Sequence, residues 1–147
     1  MNRIVIDTNV FLSAMFSNRG ASFKLLELLI ASAEEDQLFN VVSVPLVMEF
    51  EEVLFRTKNR KRYEYFNDEE LRQIISDVIA ISHRTELHFL WRPFLKDAYD
   101  DKVLETAVNG GAKAIITFNT KDFEGVKKMF NIDIFTPSEL LEKEGLL

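Results

Sequence analysis

Cysteine is absent from the 147 residues, and histidine occurs only at His83 and His88. The first absence removes disulfides, thiolate metal sites and cysteine nucleophiles, and it fits a reducing compartment. The second leaves too few imidazoles for a zinc centre, and nothing pairs either histidine with a nucleophile. No stretch approaches the ~20 apolar residues needed to cross a bilayer. The opening MNRIVIDTNV has one Arg and too short an apolar run for a signal peptide. A soluble, cytoplasmic protein with no membrane association is expected. Basic charge is in deficit, 18 Lys and Arg against 24 Asp and Glu for a net charge of −6. That argues against nonspecific nucleic-acid binding, which draws on Lys and Arg. It does not exclude a nucleic-acid enzyme, because a carboxylate metal site adds negative charge that bound cations cancel locally. There is no repeat, low-complexity segment or internal boundary.

Apolar mass is abundant. The hydrophobic fraction is 47%, with 13 Phe, which excludes disorder. The length suits one domain over residues 1–147, burying roughly 68–70% of its unfolded surface. Residues 3–6 (RIVI), 39–44 (FNVVSV), 113–117 (KAIIT) and 132–135 (IDIF) carry the apolar, β-branched signal of buried strands. Residues 85–90 suggest a further short strand. Between them lie helical stretches at 8–16, 21–34, 45–55, 99–109 and 121–130. Asn67 with Glu70 forms a capping box ahead of Leu71, Ile74, Ile75, Val78 and Ile79 at helical spacing. Gly110-Gly111 ends the 99–109 helix. Thr136-Pro137-Ser138-Glu139 is a second capping box, opening a terminal helix. Residues 56–62 and 91–98 read as loops. Trp91 and Phe94, flanking Pro93, are expected in the core rather than stacked on a base. Strands alternating with helices imply βαβ units: an α/β fold with a central, mostly parallel sheet.

The acids fall in a pattern on that frame. Ligands of an open α/β sheet bind beyond the carboxyl ends of its strands. Asp7 directly follows the first strand, and Glu49 lies in the first turns of the helix after the second. Asn119 and Asp122 follow the 113–117 strand. Asp100 and Asp101 open the helix that returns to that strand, so they start from the same edge. Each has an ordinary reading as well. Asp7 could cap a helix, and Glu49, beside Glu51 and Glu52, could belong to a solvated face. Asp100 and Asp101 suit a helix dipole, and Asp122 a first helical turn. Their joint placement on one rim favours a function. Two like charges about 4 Å apart repel by roughly 4 kcal/mol at an effective dielectric near 20. A cluster therefore raises its pKa values or recruits cations. Oxygen ligands suit Mg²⁺ or Mn²⁺, one ion or two, and a Mg²⁺ pair suits phosphodiester hydrolysis.

At these residues the sequence resembles the PIN-domain family, specifically the bacterial VapC-like ribonuclease toxins of toxin–antitoxin systems. Ile4-Val5-Ile6-Asp7-Thr8-Asn9-Val10 looks like the family's opening strand and first acid. Ser43 to Leu54, SVPLVMEFEEVL, looks like its second segment, with the acid on Glu49. Asp97 to Leu104, DAYDDKVL, looks like the third, and Thr106-Ala107 sets its principal ligand on Asp100, with Asp101 a close competitor. Ile116 to Phe123, ITFNTKDF, looks like the fourth, and Phe135 to Leu140 is also similar. The resemblance implies a three-layer α/β/α sandwich and Mg²⁺- or Mn²⁺-dependent cleavage of RNA to 5′-phosphate and 3′-hydroxyl ends. It also implies a small protein antitoxin and a possible homodimer.

Two residues depart from the family. Asn119 stands where many relatives carry an acid, which moves the fourth position to Asp122. Ala98 replaces a common proline.

The expected metal and catalytic set is therefore Asp7, Glu49, Asp100 and Asp122, with Asp101 in reserve. Thr8, Asn9, Thr117 and Asn119 would orient the carboxylates. Arg56, Lys58, Arg60, Lys61 and Arg62 are the candidate RNA contacts, with Tyr63, Tyr65 and Phe66 able to stack bases. The alternatives are a solvated basic loop and core aromatics. A rival within enzymes, a phosphatase of the haloacid dehalogenase type, needs a second acid where Asn9 stands. A rival from another class is a catalytically weak or inactive PIN-fold module binding RNA or protein.

Overall fold

The structure is a computed structural model describing residues 2–33, 35, 38–90, 95 and 97–145. The expected loop residues Trp91, Pro93 and Phe94 lie outside the described residues. Five parallel strands form one sheet in the order β3-β2-β1-β4-β5. They are β1 (Asn2–Ile6), β2 (Leu38–Val42), β3 (His83–Arg84), β4 (Ala114–Ile116) and β5 (Asp133–Phe135). The eight helices among the described residues are α1 (Thr8–Phe16), α2 (Ala21–Ser32), α3 (Val44–Leu54), α4 (Thr57–Arg60), α5 (Asp68–Ala80), α6 (Ala98–Asn109), α7 (Val126–Phe130) and α8 (Pro137–Lys143).

The central strand is β1, and its Ile4, Val5 and Ile6 are buried. That two-sided burial is why RIVI is continuously apolar rather than alternating. Helix α2 belongs to the β1-to-β2 crossover and α6 to the β3-to-β4 crossover, which traverses the sheet in the opposite direction. Right-handed connections put these two on opposite faces, giving an α/β/α sandwich. Helix α6 lies against β1, β2 and β4, while α2 packs on β2 and α8. Where α6 ends, Gly110 passes so close to β2 that a Cβ there would meet Val41 Cγ1 at 2.5 Å. Asn40, a buried amide within β2, accepts from the Ile6 N–H at 3.1 Å and donates to Ser82 at 3.1 Å. A polar residue thus sits in the sheet without an orphaned group.

The chain order creates a switch point between β1 and β4, whose onward connections leave in opposite directions. The β1–β4 register pairs Ile6 with Ile116, and the Asp7 N–H extends the ladder to the Ile116 carbonyl at 2.9 Å. Asp7 is thereby fixed at the carboxyl edge of this crevice, where ligands of open α/β sheets bind.

Three elements differ from expectation. The strand expected at 85–90 is the two-residue β3 at 83–84. Its partner β2 ends at Val42, so beyond the Thr85 N–H to Val42 carbonyl bond no strand remains to pair with. Asn109 takes over, accepting from the N–H groups of His88 and Phe89 and donating to the Phe89 carbonyl. The expected loop at 56–62 is α4 followed by a 3₁₀ turn over Lys61–Tyr63. The Arg56 carbonyl starts that helix by accepting from Asn59 and Arg60, and the Asn59 amide donates to the Val53 carbonyl at the end of α3. The helix expected over 121–130 is split into a 3₁₀ turn (Thr120–Phe123) and α7 by Gly125, whose φ of 88° interrupts any helix.

Candidate active site

The acids reach the carboxyl edge on four separate pieces of chain. Asp7 precedes α1, and Glu49 stands on α3. The two helices are locked by Phe11 against Phe50, with ring centroids 5.2 Å apart and both side chains buried. Each ring lies within three residues of an acid or its partner, so this packing sets Thr8 against Glu49. The Thr8 hydroxyl donates to Glu49 Oε2 at 2.5 Å. Asp100 lies in the first turn of α6, and Asp122 in the 3₁₀ turn after β4.

Asp7 is 6% exposed. Its carboxylate makes no ordinary N-cap bond to α1 and turns instead to Thr117, whose buried hydroxyl donates to Oδ2 at 2.8 Å. Thr117 is a hub: the same oxygen accepts from the Asn9 amide at 3.5 Å and the Asn119 N–H at 3.0 Å. The Asn9 carbonyl oxygen in turn accepts from the Phe118 N–H at 3.4 Å. Burial pushes the Asp7 carboxyl up to about 6, and the Glu49 charge adds to the rise. The Thr117 hydroxyl and the nearby N–H groups of Thr8 and Asn9 oppose it.

Asp100, 8% exposed, has one oxygen, Oδ2, with no hydrogen-bond partner. Its carboxyl is pushed up to about 7 by burial first, then by the charges of Asp7, Asp97, Asp122 and Glu49. Asp101 is 1% exposed and its Oδ1 accepts from the Leu95 N–H at 3.0 Å, holding the chain ahead of α6, while its Oδ2, like that of Asp100, has no hydrogen-bond partner.

The structure therefore brings together Asp7, Glu49, Asp100 and Asp122, with Thr8, Asn9, Thr117 and the backbone of Asn119 around them. Asp97 joins them and was missed by sequence reasoning. Its signal was its position three residues before Asp100, where its carbonyl accepts the Asp100 N–H at 3.0 Å.

The donor set is all oxygen. Asp100 Oδ2 and Asp101 Oδ2 are buried and unpartnered, and burial together with like-charge repulsion raises the carboxyls of Asp7 and Asp100; a hard cation would favour their charged forms. Among the described residues no three acids already stand close enough to share one ion. That still suits Mg²⁺, which is held by one or two carboxylates with waters completing its shell.

The basic run is elsewhere and partly engaged. The Arg60 guanidinium donates to the carbonyls of Tyr63 and Phe66 at 3.1 and 2.7 Å and pairs with Asp68. The Arg62 guanidinium lies 3.5 Å over the Phe16 ring, and Arg56 pairs with Glu52. Lys58 and Lys61 are exposed. Tyr63 is core, its hydroxyl donating to the Leu54 carbonyl. The exposed Tyr65 donates to the Met15 carbonyl at 2.6 Å, and Phe66 is half-buried. His83 packs its ring on Phe39, and His88 lies at the surface beside Glu86.

A profile of the family described as PIN domain matches residues 3–121. A search of the curated proteins found no match. Among solved structures the fold is similar to that of VapBC2 from Rickettsia felis bound to a DNA fragment from their promoter. The TM-score is 0.58 and the identity 14%, over 90% of this chain and 96% of that one.

Proposed function

Since this chain belongs to the PIN domain family, whose members are generally nucleases, we propose that it is a divalent-cation-dependent endoribonuclease, the toxin of a toxin–antitoxin pair. One observation carries the reading. Carboxylates from three other segments, Asp7, Glu49 and Asp122, and Asp97 just ahead of its own helix act on Asp100, whose buried Oδ2 has no hydrogen-bond partner. A fold pays for such crowding in stability, and relief by a cation gives the crowding a purpose.

In this reading Asp7, Glu49 and Asp100 hold one or two Mg²⁺ or Mn²⁺ ions, with Asp122 completing the set. The bound cation supplies Lewis acidity toward water and phosphate. The protein's own residues supply orientation. Thr8 fixes one oxygen of Glu49. Thr117, itself held by Asn9 and Asn119, fixes one oxygen of Asp7. Asp101 anchors the approach to α6 through one oxygen and keeps the other, Oδ2, unpartnered as a reserve ligand. Lys58 and Lys61 supply phosphate contacts, with Arg56 and Arg62 flanking them.

A small protein antitoxin, a homodimer and a cytoplasmic location complete the proposal. No helix among the described residues is long and apolar enough to cross a membrane. The test is cleavage of purified total RNA. Wild type with Mn²⁺ should produce discrete fragments, and chelation or Asp7→Asn should abolish them. Cleavage that persists through both would remove the proposal.

A further inference from the structure

Phe118 separates two residues of the site, Thr117 and Asn119, yet it is 47% exposed. Its backbone is held on every side. The Thr117 N–H donates to the Phe135 carbonyl at 2.9 Å, the Phe118 N–H to Asn9, and the Asn119 N–H to the Thr117 hydroxyl. Such a tied loop has little freedom to fold the ring inward. The ring's chain neighbours Thr117, Asn119, Thr120 and Lys121 are polar, and Lys121 is exposed on the following turn. The acids beside it repel phosphate, and the chain carries a net charge of −6. A strand arriving here needs an attraction that does not depend on charge, and a base stacked on an aromatic face supplies one.

From this juxtaposition we infer that Phe118 is a base-stacking platform that selects an unpaired RNA strand and sets the scissile phosphate over the acids. The inference rests on the proposed nuclease reading only in requiring that a nucleic-acid strand reach the site. A paired base presents its edge to the groove and cannot stack on a side chain. Phe118 is thus a specificity residue, discriminating single strand from duplex. A protein partner would instead use the ring as one contact among many, indifferent to oligonucleotides.

Binding and cleavage test this separately. Fluorescein-labelled oligo(U) and a fully paired RNA duplex of the same length are titrated by anisotropy in Ca²⁺ buffer. The proteins are wild type, Phe118→Ala and Phe118→Trp. Phe118→Ala should weaken single-strand binding about 5- to 150-fold and leave duplex binding unchanged, and Phe118→Trp should restore the strand. In Mn²⁺ the alanine variant should raise KM rather than lower kcat. Equal single-strand affinity for wild type and Phe118→Ala would overturn the inference, as would equal losses on strand and duplex. Phe118-dependent binding without any cleavage would sink the nuclease reading and leave this one standing. Cleavage with an unchanged KM in Phe118→Ala would do the reverse.

Discussion

Replacing Asp100 with Asn should make the metal-free protein more stable at alkaline pH. The Asp100 carboxyl lies at about 7 in the fold against an ordinary 3.8. A carboxyl raised on folding binds more protons native than unfolded, so its presence lowers stability as pH rises between those two values. Below the lower value the cost vanishes, and above the higher it is complete. At about 1.36 kcal/mol per pH unit, the cost relative to a neutral side chain grows from about 0.5 kcal/mol at pH 4 to at most about 4 kcal/mol at pH 8. Relaxation and solvent screening reduce the upper figure, so a gain of about 2–4 kcal/mol is expected for Asp100→Asn at pH 8. In a chain of this size that is a rise in Tm on the order of 5–10 °C. Thermal unfolding in chelator at pH 4 and pH 8 reads it directly. An Asp100→Asn protein no more stable than wild type at pH 8 would refute the combined burial of Asp100 and crowding by Asp7, Asp97, Asp122 and Glu49.

Three further outcomes concern the acids and the basic run. Mn²⁺ at about 100 times its Kd should stabilise wild type by about 2.7 kcal/mol, seen as a Tm rise of several degrees, and Asp7→Asn should abolish it; an absent or unaltered rise would contradict a cation on these acids. Arg60→Ala should cost about 1–3 kcal/mol in denaturant unfolding, because it strips donors from the Tyr63 and Phe66 carbonyls. It should leave RNA affinity intact, whereas Lys58→Glu with Lys61→Glu should weaken RNA binding and flatten its salt slope; the opposite pattern would exchange the two roles.

The parallel sheet and its helices were legible because burial on both faces leaves continuous apolar runs such as RIVI. The capping boxes at Asn67 and Thr136 are local chemistry, and both form as read. What was not legible depends on partners distant in sequence. The edge strand falls at 83–84 rather than 85–90 because of where β2 stops. The helix at 57–60 owes its start to hydrogen bonds around Arg56 and Asn59, in a run whose charge suggested a loop. Within the site, only the family resemblance ranked Asp100 above Asp101; as letters the two are equivalent. One residue of helix turns a side chain by about 100°, and only the packed structure shows Asp100 toward Asp7 and Asp101 toward Leu95. Asp97 stayed hidden because its nearness to the cluster depends on how α6 docks. Arg60 looked like a phosphate contact because a basic run does not reveal which of its members the fold has already used.

In the proposed mechanism these acids direct water, not the ribose 2′-hydroxyl, onto phosphorus. The most direct measurement is the chemistry of RNA ends after induced expression, mapped for wild type against Asp7→Asn. New 5′-phosphate and 3′-hydroxyl ends in wild type, absent from Asp7→Asn, are the predicted result. Ends bearing 2′,3′-cyclic phosphate, or the same ends in both proteins, would contradict it.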